Sequence, residues 1–256
     1  MNDAIELRDA LVGEGYLTRV DYGDLSLYNY TSRCFRHYAW NEITLHSRGS
    51  IFDRRTGECV ARPFPKFFHV DEVPATMESA LPWGAPFRIF EKLDGWLGIH
   101  YRSDGVHRIA TRGSFDGKVA AWASVELQRY GLADLPDEVT LCFEILHPLT
   151  RVVVDYGDRA ELVLLAAFNR HTGDEYDWRQ VAAWAGQYGF RLPVIHGVPM
   201  DSVVRVLSKV DGSRYEGVVI RFDDGVRVKM KAPDYVARFT ILRAEERLAR
   251  RATYSI

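Results

Sequence analysis

Five residues, Glu91-Lys92-Leu93-Asp94-Gly95, interrupt two apolar runs at 86–90 and 96–101 that both read as half-buried β-strand. A lysine at such a place is costly to desolvate, and buried lysines shift their pKa and become reactive. Two readings follow. Asp94-Gly95 reverses the chain in a hairpin and Lys92 points at water, or Lys92 is an amine held where it loses its proton and attacks a carbonyl or phosphorus centre. The pentapeptide alone leaves both open.

The chain has 256 residues, enough for one large domain or one domain with a small appendage. Apolar residues make up 47% and charged residues 27%, the balance of a globule that buries a real core. The opening residues Met1-Asn2-Asp3-Ala4-Ile5-Glu6 are polar and acidic, unlike a signal peptide, and no apolar run reaches the length of a membrane span. Cys34, Cys59 and Cys142 are scattered, odd in number and lack metal-ligand spacing, which fits a reducing compartment, so a cytoplasmic protein is expected. His46, His69, His100 and His147 show no ligand spacing either. A net charge of −2 means that any contact with a polyanion must come from local patches. Arg238, Arg243, Arg247, Arg250 and Arg251 form one such patch, which a solvated helix face explains about as well.

The periodicity predicts a short helix at 4–12 and β-structure from Ile43 onward, with a hairpin of 49–53 and 58–62. Runs at 87–93, 96–101 and 106–111 read as a meander. A helix at 116–130 presents Val119, Trp122, Val125 and Tyr130 on one face and stops at Gly131. Strands are expected at 139–145, 151–156 and 161–168. A helix at 178–188 has a capping box at Asp177 and Gln180, and a second, at 202–210, has Asp201 as its N-cap. A hairpin of 215–222 and 226–231 and a last helix at 235–251 complete an α+β fold of antiparallel sheets with segregated helices.

Two further anomalies carry chemistry. Lys229 and Lys231 are two apart, so they share one face of their strand, with Val228 and Met230 on the other. They are either the lysines that guard an edge strand or a clamp on a phosphate chain. Glu144 interrupts the apolar run Leu141-Cys142-Phe143-Glu144-Ile145 and needs a cation, a metal or a donor. Glu216 sits similarly ahead of an apolar strand, and Gly95 and Gly217 are small enough to admit a nucleotide to the backbone.

The ordered series Lys-x-Asp-Gly, Arg-Gly-Ser, Phe-Glu, Glu-Gly-Val-Val-Ile and Lys-x-Lys resembles the covalent nucleotidyltransferase superfamily of ATP-dependent ligases and capping enzymes. More narrowly it resembles the phage-type RNA ligase 1 family. That match rests on Ser47-Arg48-Gly49-Ser50-Ile51-Phe52, on residues 61–68, on Thr150-Arg151-Val152-Val153-Val154-Asp155-Tyr156, and on residues 229–235. The resemblance implies a nucleotidyltransferase (ATP-grasp-like ligase adenylation) fold over 1–256 as a single domain, with a C-terminal helix from about 235 and no OB domain. It makes Lys92 the residue that becomes adenylylated. Arg48, Lys66 and Phe68 match the upstream ATP pocket, and Arg112 a basic residue after the nucleophile strand. Glu91 and Gly95 flank the lysine motif at the nucleotide. Glu144 matches a ribose- and metal-side glutamate and Glu216 a glutamate near the metal and the lysine, Asp94 is expected to engage the metal or backbone, and Lys229 and Lys231 hold the phosphates. Tyr235 matches an aromatic at the end of the last motif. Trp96 and Thr150 depart from the pattern, Trp96 standing where a small or polar residue is usual.

By this resemblance the chain is an ATP-dependent RNA ligase that uses Mg2+ or Mn2+ to seal 5′-phosphate and 3′-hydroxyl RNA ends through lysyl-AMP and AMP-RNA. An end-healing kinase or phosphatase is an expected partner. The alternatives are a DNA ligase or capping-type enzyme, and a nucleotide- or RNA-binding or self-adenylylating module that does not seal. For Lys92 to act at neutral pH it must lose roughly three pKa units, about 4 kcal/mol, which nearby Lys229, Lys231 and a metal are expected to supply.

Overall fold

The computed structural model describes residues 3–253. In chain order its elements begin with α1 (Asp3–Gly13), β1 (Leu17–Tyr22), β2 (Leu25–Tyr30), α2 (Ser32–Arg36), α3 (Glu42–His46), β3 (Arg48–Asp53) and β4 (Cys59–Ala61). Then come β5 (Phe68–His69), β6 (Phe87–Lys92), β7 (Trp96–Ser103), β8 (Val106–Thr111), α4 (Lys118–Leu127), β9 (Val139–Leu146) and β10 (Glu161–Asn169). The last are α5 (Trp178–Tyr188), β11 (Ile195–His196), α6 (Met200–Leu207), β12 (Gly217–Phe222), β13 (Arg227–Lys231) and α7 (Pro233–Thr253). The fold is α+β with antiparallel sheets flanked by helices, as expected; β13 and β5 form a parallel pair.

The chain forms two compact units that alternate along the sequence. The first takes the residues up to Phe67, then Trp96–Ile145 and Ala160–Leu192. It holds two four-stranded sheets, ordered β1-β2-β3-β4 and β10-β9-β7-β8. One core packs α4 and α5 on β9 and β10 through Val119, Leu127, Phe143, Leu164 and Trp184, and another joins Leu27 and Ile51 to Ile99 and Phe168. The second unit takes Phe68–Gly95, Leu146–Arg159 and the chain from Pro193. Its five-stranded sheet runs β11-β6-β12-β13-β5 and buries Ile89, Val218, Ile220, Phe222 and Val228 against Val203, Leu207 and Tyr235. Each fully buried side chain of this size contributes roughly 1.5–3 kcal/mol, so these apolar faces set both registers.

Several local expectations change. β6 does not join β7 and β8 in a meander, because β6 lies in the sheet of the second unit and β7–β8 in a sheet of the first. Leu93-Asp94-Gly95 is therefore the passage between two sheets, not a hairpin turn. Ile43–His46 is helical: Asn41 caps α3 and exchanges hydrogen bonds with Thr44, which outweighs the β-propensity of the run. The expected strand at 151–156 is irregular, since the N–H groups of Val153 and Val154 donate to the Asp94 carboxylate instead of a ladder. α4 buries Val119, Ala120, Ala123 and Leu127 and leaves Val125 exposed. α6 begins at Met200 with Pro199 at its N-cap, two residues ahead of the expected Asp201. α5 matches, with Asp177 accepting from the Gln180 N–H and Gly189 closing the helix.

Candidate active site

In the second unit, register does the assembling. Gly217 on β12 faces Lys92 on β6 on one side and Lys231 on β13 on the other. The next row along the same face is Phe90, Val219 and Lys229, and the next is Arg88, Arg221 and Arg227. The opposite face carries the core residues Ile89, Val218, Ile220 and Val228. One sheet face thus presents six cations around a small apolar strip. Gly217 is required between the two lysines. Its φ is +153°, and a Cβ there would lie 2.1 Å from the Met230 carbonyl oxygen.

Glu216 ties the row together. Its carboxylate is only 3% exposed, and it accepts from Lys92 Nζ at 2.8 Å on Oε2 and from Lys231 Nζ at 2.8 Å on Oε1. One negative charge is shared by two ammonium groups, which leaves the trio net positive. The Lys231 ammonium also sits 4.7 Å over the Tyr235 ring and 5.2 Å over the Phe239 ring. Lys92 is thus not surrounded by positive charge alone: its hydrogen-bonded neighbour is a carboxylate.

Asp94 is nearly buried and fully engaged. Oδ1 accepts from the Tyr235 hydroxyl at 2.6 Å, and Oδ2 accepts the N–H groups of Val153 and Val154, each at 2.8 Å. The Asp94 N–H in turn donates to the Tyr156 hydroxyl at 3.0 Å. Burial, then the Glu216 and Asp94 charges, pushes the Tyr235 phenol well above its ordinary value, so it stays a donor. These bonds fasten the loop after Lys92 to α7 and to the 153–156 segment. Of the two engagements expected for Asp94, metal or backbone, the structure shows the backbone one, with the Tyr235 hydroxyl as a further donor. The Thr150 hydroxyl accepts the His147 N–H in a 3₁₀ turn at Pro148–Thr150. Phe68 lies on β5 opposite Val228, and Glu91 faces Val218.

The first unit gathers a second set. Arg48 opens β3, Arg112 follows β8, and Glu144 lies on β9 facing Leu97 of β7. Loss of hydration pulls the Arg48 guanidinium below its ordinary value; Tyr30 and Glu144 oppose that shift and Arg112 adds to it. Arg112 donates to the Tyr30 hydroxyl at 3.2 Å. Gly49, at φ +94°, lets the Arg112 backbone pass, since a Cβ there would be 3.2 Å from Arg112 Cα and 2.3 Å from Ile99 Cδ1. Lys66 is buried, donates to the Phe67 carbonyl at 2.9 Å, and lies 5.7 and 5.5 Å from the Phe35 and Trp40 rings. Trp96 begins β7 with 44% of its surface exposed. Tyr30, the contact of Tyr156 with the Asp94 N–H and the place of Gly217 between two lysines were not read from the sequence. Only strand register and the docking of distant segments bring them in.

Among the described residues no group of three or more His, Cys, Asp or Glu is placed to hold a metal ion. Glu144 belongs to the first unit and Glu216 to the second; a carboxylate of either kind is the hard oxygen donor that a divalent ion takes alongside phosphate oxygens and waters.

A family model described as RNA ligase matches residues 46–235. A protein of Thermovibrio ammonificans named as a candidate RNA ligase is 29% identical over 199 residues, covering 73% of this chain and 51% of that protein. The chain thus spans about half the length of this curated relative. An archaeal ATP-dependent RNA ligase structure superposes with a TM-score of 0.61 at 14% identity, over 89% of this chain and 61% of the other. A lysine-to-alanine variant of Naegleria gruberi RNA ligase, solved with ATP and Mn, superposes with a TM-score of 0.54 at 15% identity, over 93% of this chain and 82% of the other. At these identities the two structures establish the likeness of fold.

Proposed function

The chain belongs to the RNA ligase family, and we propose that it seals 5′-phosphate and 3′-hydroxyl RNA ends at the expense of ATP, with Lys92 as the nucleophile. The observation that carries this reading is the Lys92–Glu216–Lys231 trio, in which a candidate nucleophile and a candidate phosphate-holding lysine share one buried carboxylate across Gly217. An isolated edge-strand lysine would not need such an arrangement.

In the first step Lys92 Nζ attacks the α-phosphorus. A P–N bond forms, the P–O bond to the β-phosphate breaks, and pyrophosphate leaves with the electron pair. Lys229 and Lys231 share a face and meet the negative charge that builds on the phosphates. As phosphates draw Lys231 away from Glu216, the carboxylate is left facing Lys92 and is the nearest acceptor for the proton that the amine must lose. A divalent ion bound with the nucleotide would neutralise phosphate charge and add a positive field that disfavours the Lys92 ammonium. Asp94, held by Tyr235 and two N–H groups, keeps the loop after Lys92 in place. Arg48, Lys66, Phe68, Glu91, Gly95, Arg112 and Glu144 keep the nucleotide-binding roles that the family resemblance gives them. AMP then passes to the RNA 5′-phosphate, and attack by the 3′-hydroxyl on that phosphate releases AMP.

The ends sealed are those that a kinase or phosphatase reaction leaves, and such an end-healing enzyme is the partner class that this chemistry calls for. A cytoplasmic setting is part of the same reading; among the described residues no helix is long and apolar enough to cross a membrane. The test is to supply ATP, a divalent metal and a 5′-phosphorylated single-stranded RNA. AMP-protein, AMP-RNA and a circular product are expected in sequence. AMP-protein without AMP-RNA or a circle would mark a self-adenylylating module instead, and label from GTP or sealing of DNA alone would mark a capping or DNA-ligating enzyme.

A further inference from the structure

We propose that α2 and the turn after it form a stacking platform for the single-stranded end of the RNA, a deepening that rests on the ligase reading above. From Thr31 to Asn41 the sequence is Thr-Ser-Arg-Cys-Phe-Arg-His-Tyr-Ala-Trp-Asn, with two arginines, a histidine and no acidic residue. Cys34 is buried and anchors the segment, its thiol lying against the Ala39 carbonyl at 3.4 Å. The residues around it turn outward. Phe35 is 45% and Tyr38 62% exposed, and Arg33, Arg36 and His37 are exposed beside them.

The rings are held in place on the surface. Phe35 packs edge-on against Trp40 at 6.1 Å, Trp40 against Tyr30 at 5.2 Å, and His37 against Tyr16 at 6.1 Å, while Arg33 caps the Tyr16 ring at 5.2 Å. Aromatic faces interleaved with arginines are what a single strand uses: bases stack on rings of any sequence, and phosphates meet guanidinium groups. A protein partner of ordinary composition would not need the segment to be free of acids. The platform is also continuous with the expected nucleotide pocket, because Phe35 and Trp40 are the rings that flank the Lys66 ammonium. A strand stacked there brings its terminal phosphates to the side of the first unit where Lys66 lies.

Tyr38→Ala and Arg36→Ala test this without touching Lys66 or Lys92. Binding of a fluorescently labelled single-stranded RNA is measured by anisotropy across a salt series, and AMP labelling of each variant from ATP is measured alongside. Tyr38→Ala is expected to raise Kd about tenfold, the loss of one stacked base. Tyr38→Phe is expected to restore it. Arg36→Ala is expected to lower the slope of log K against log salt by about 0.7. All three variants should take AMP label like the parent, which also shows that they fold. Unchanged affinity in both alanine variants overturns the platform, as does an equal loss of affinity for duplex RNA in Tyr38→Ala, which would mean that no base is stacked. Absence of AMP label in the parent would instead overturn the ligase reading, while the anisotropy would still report on the platform.

Discussion

At the scale of single residues, the site depends on two carboxylates with different duties. Glu216 holds charge and Asp94 holds shape. Glu216→Ala leaves two partly exposed ammonium groups facing each other with no counter-charge, and about 1–3 kcal/mol of stability should be lost. AMP labelling should fall by orders of magnitude, while Glu216→Gln, which still accepts hydrogen bonds, should recover the stability but not the rate; denaturant unfolding and a labelling time course separate the two. Tyr235→Phe removes the O–H that Asp94 Oδ1 accepts and leaves that oxygen short of a donor in a buried place. It should cost about 1–3 kcal/mol and slow labelling by loosening the loop after Lys92. Equal labelling rates in Tyr235→Phe and the parent would show that Asp94 does not position the nucleophile.

At the scale of elements, the β6–β12–β13 register is what turns separate sequence motifs into one array. Gly217→Ala should therefore damage more than its small size suggests. A methyl group 2.1 Å from the Met230 carbonyl forces β12 and β13 apart at the row that carries Lys92 and Lys231. About 2–4 kcal/mol of destabilisation is expected, in the range of overpacking plus backbone strain, and the denaturation midpoint checks it. This is also where the limits of reading the sequence lie. The lysine-lysine face of β13 was legible because the alternation is local, and α5 was legible because Asp177 and Gly189 mark its ends. The 151–156 run was misread because its valines have strand propensity, whereas its N–H groups are claimed by Asp94, about 60 residues away. β6 and β7 were joined into one meander because a short passage between strands usually means a hairpin, and nothing local says that the chain changes sheets at Leu93-Asp94-Gly95. β1 and β2 were missed for want of a strong apolar alternation, β1 having a single buried residue, Leu17. That Glu216 lies near Lys92 came from the family resemblance and not from local pattern, since the two are 124 apart in sequence.

At the scale of the whole molecule, stability should fall in mild acid through a group remote from the chemistry. His100 on β7 lies with its Nε2 2.8 Å from His107 Nδ1 and is buried. Burial, then the charge of His107, holds His100 down from 6.5 to about 3, and burial also lowers His107. The folded protein keeps His100 neutral where the unfolded chain takes up a proton. Its contribution is therefore complete above pH 6.5 and drains as the pH falls from 6.5 toward 3, at about 1.4 kcal/mol per pH unit for each proton taken up on unfolding. In His100→Gln the urea midpoint should vary less over that window than in the parent; an unaltered pH profile would contradict the assignment. The account as a whole stands on the amine of Lys92. Incubation with α-labelled ATP and a divalent metal, followed by digestion and mass analysis, should place one AMP on the peptide containing Lys92. Lys92→Ala and Lys92→Arg should carry no label while unfolding like the parent, since a guanidinium stays protonated. AMP on any other residue, or label persisting in Lys92→Ala, would contradict it.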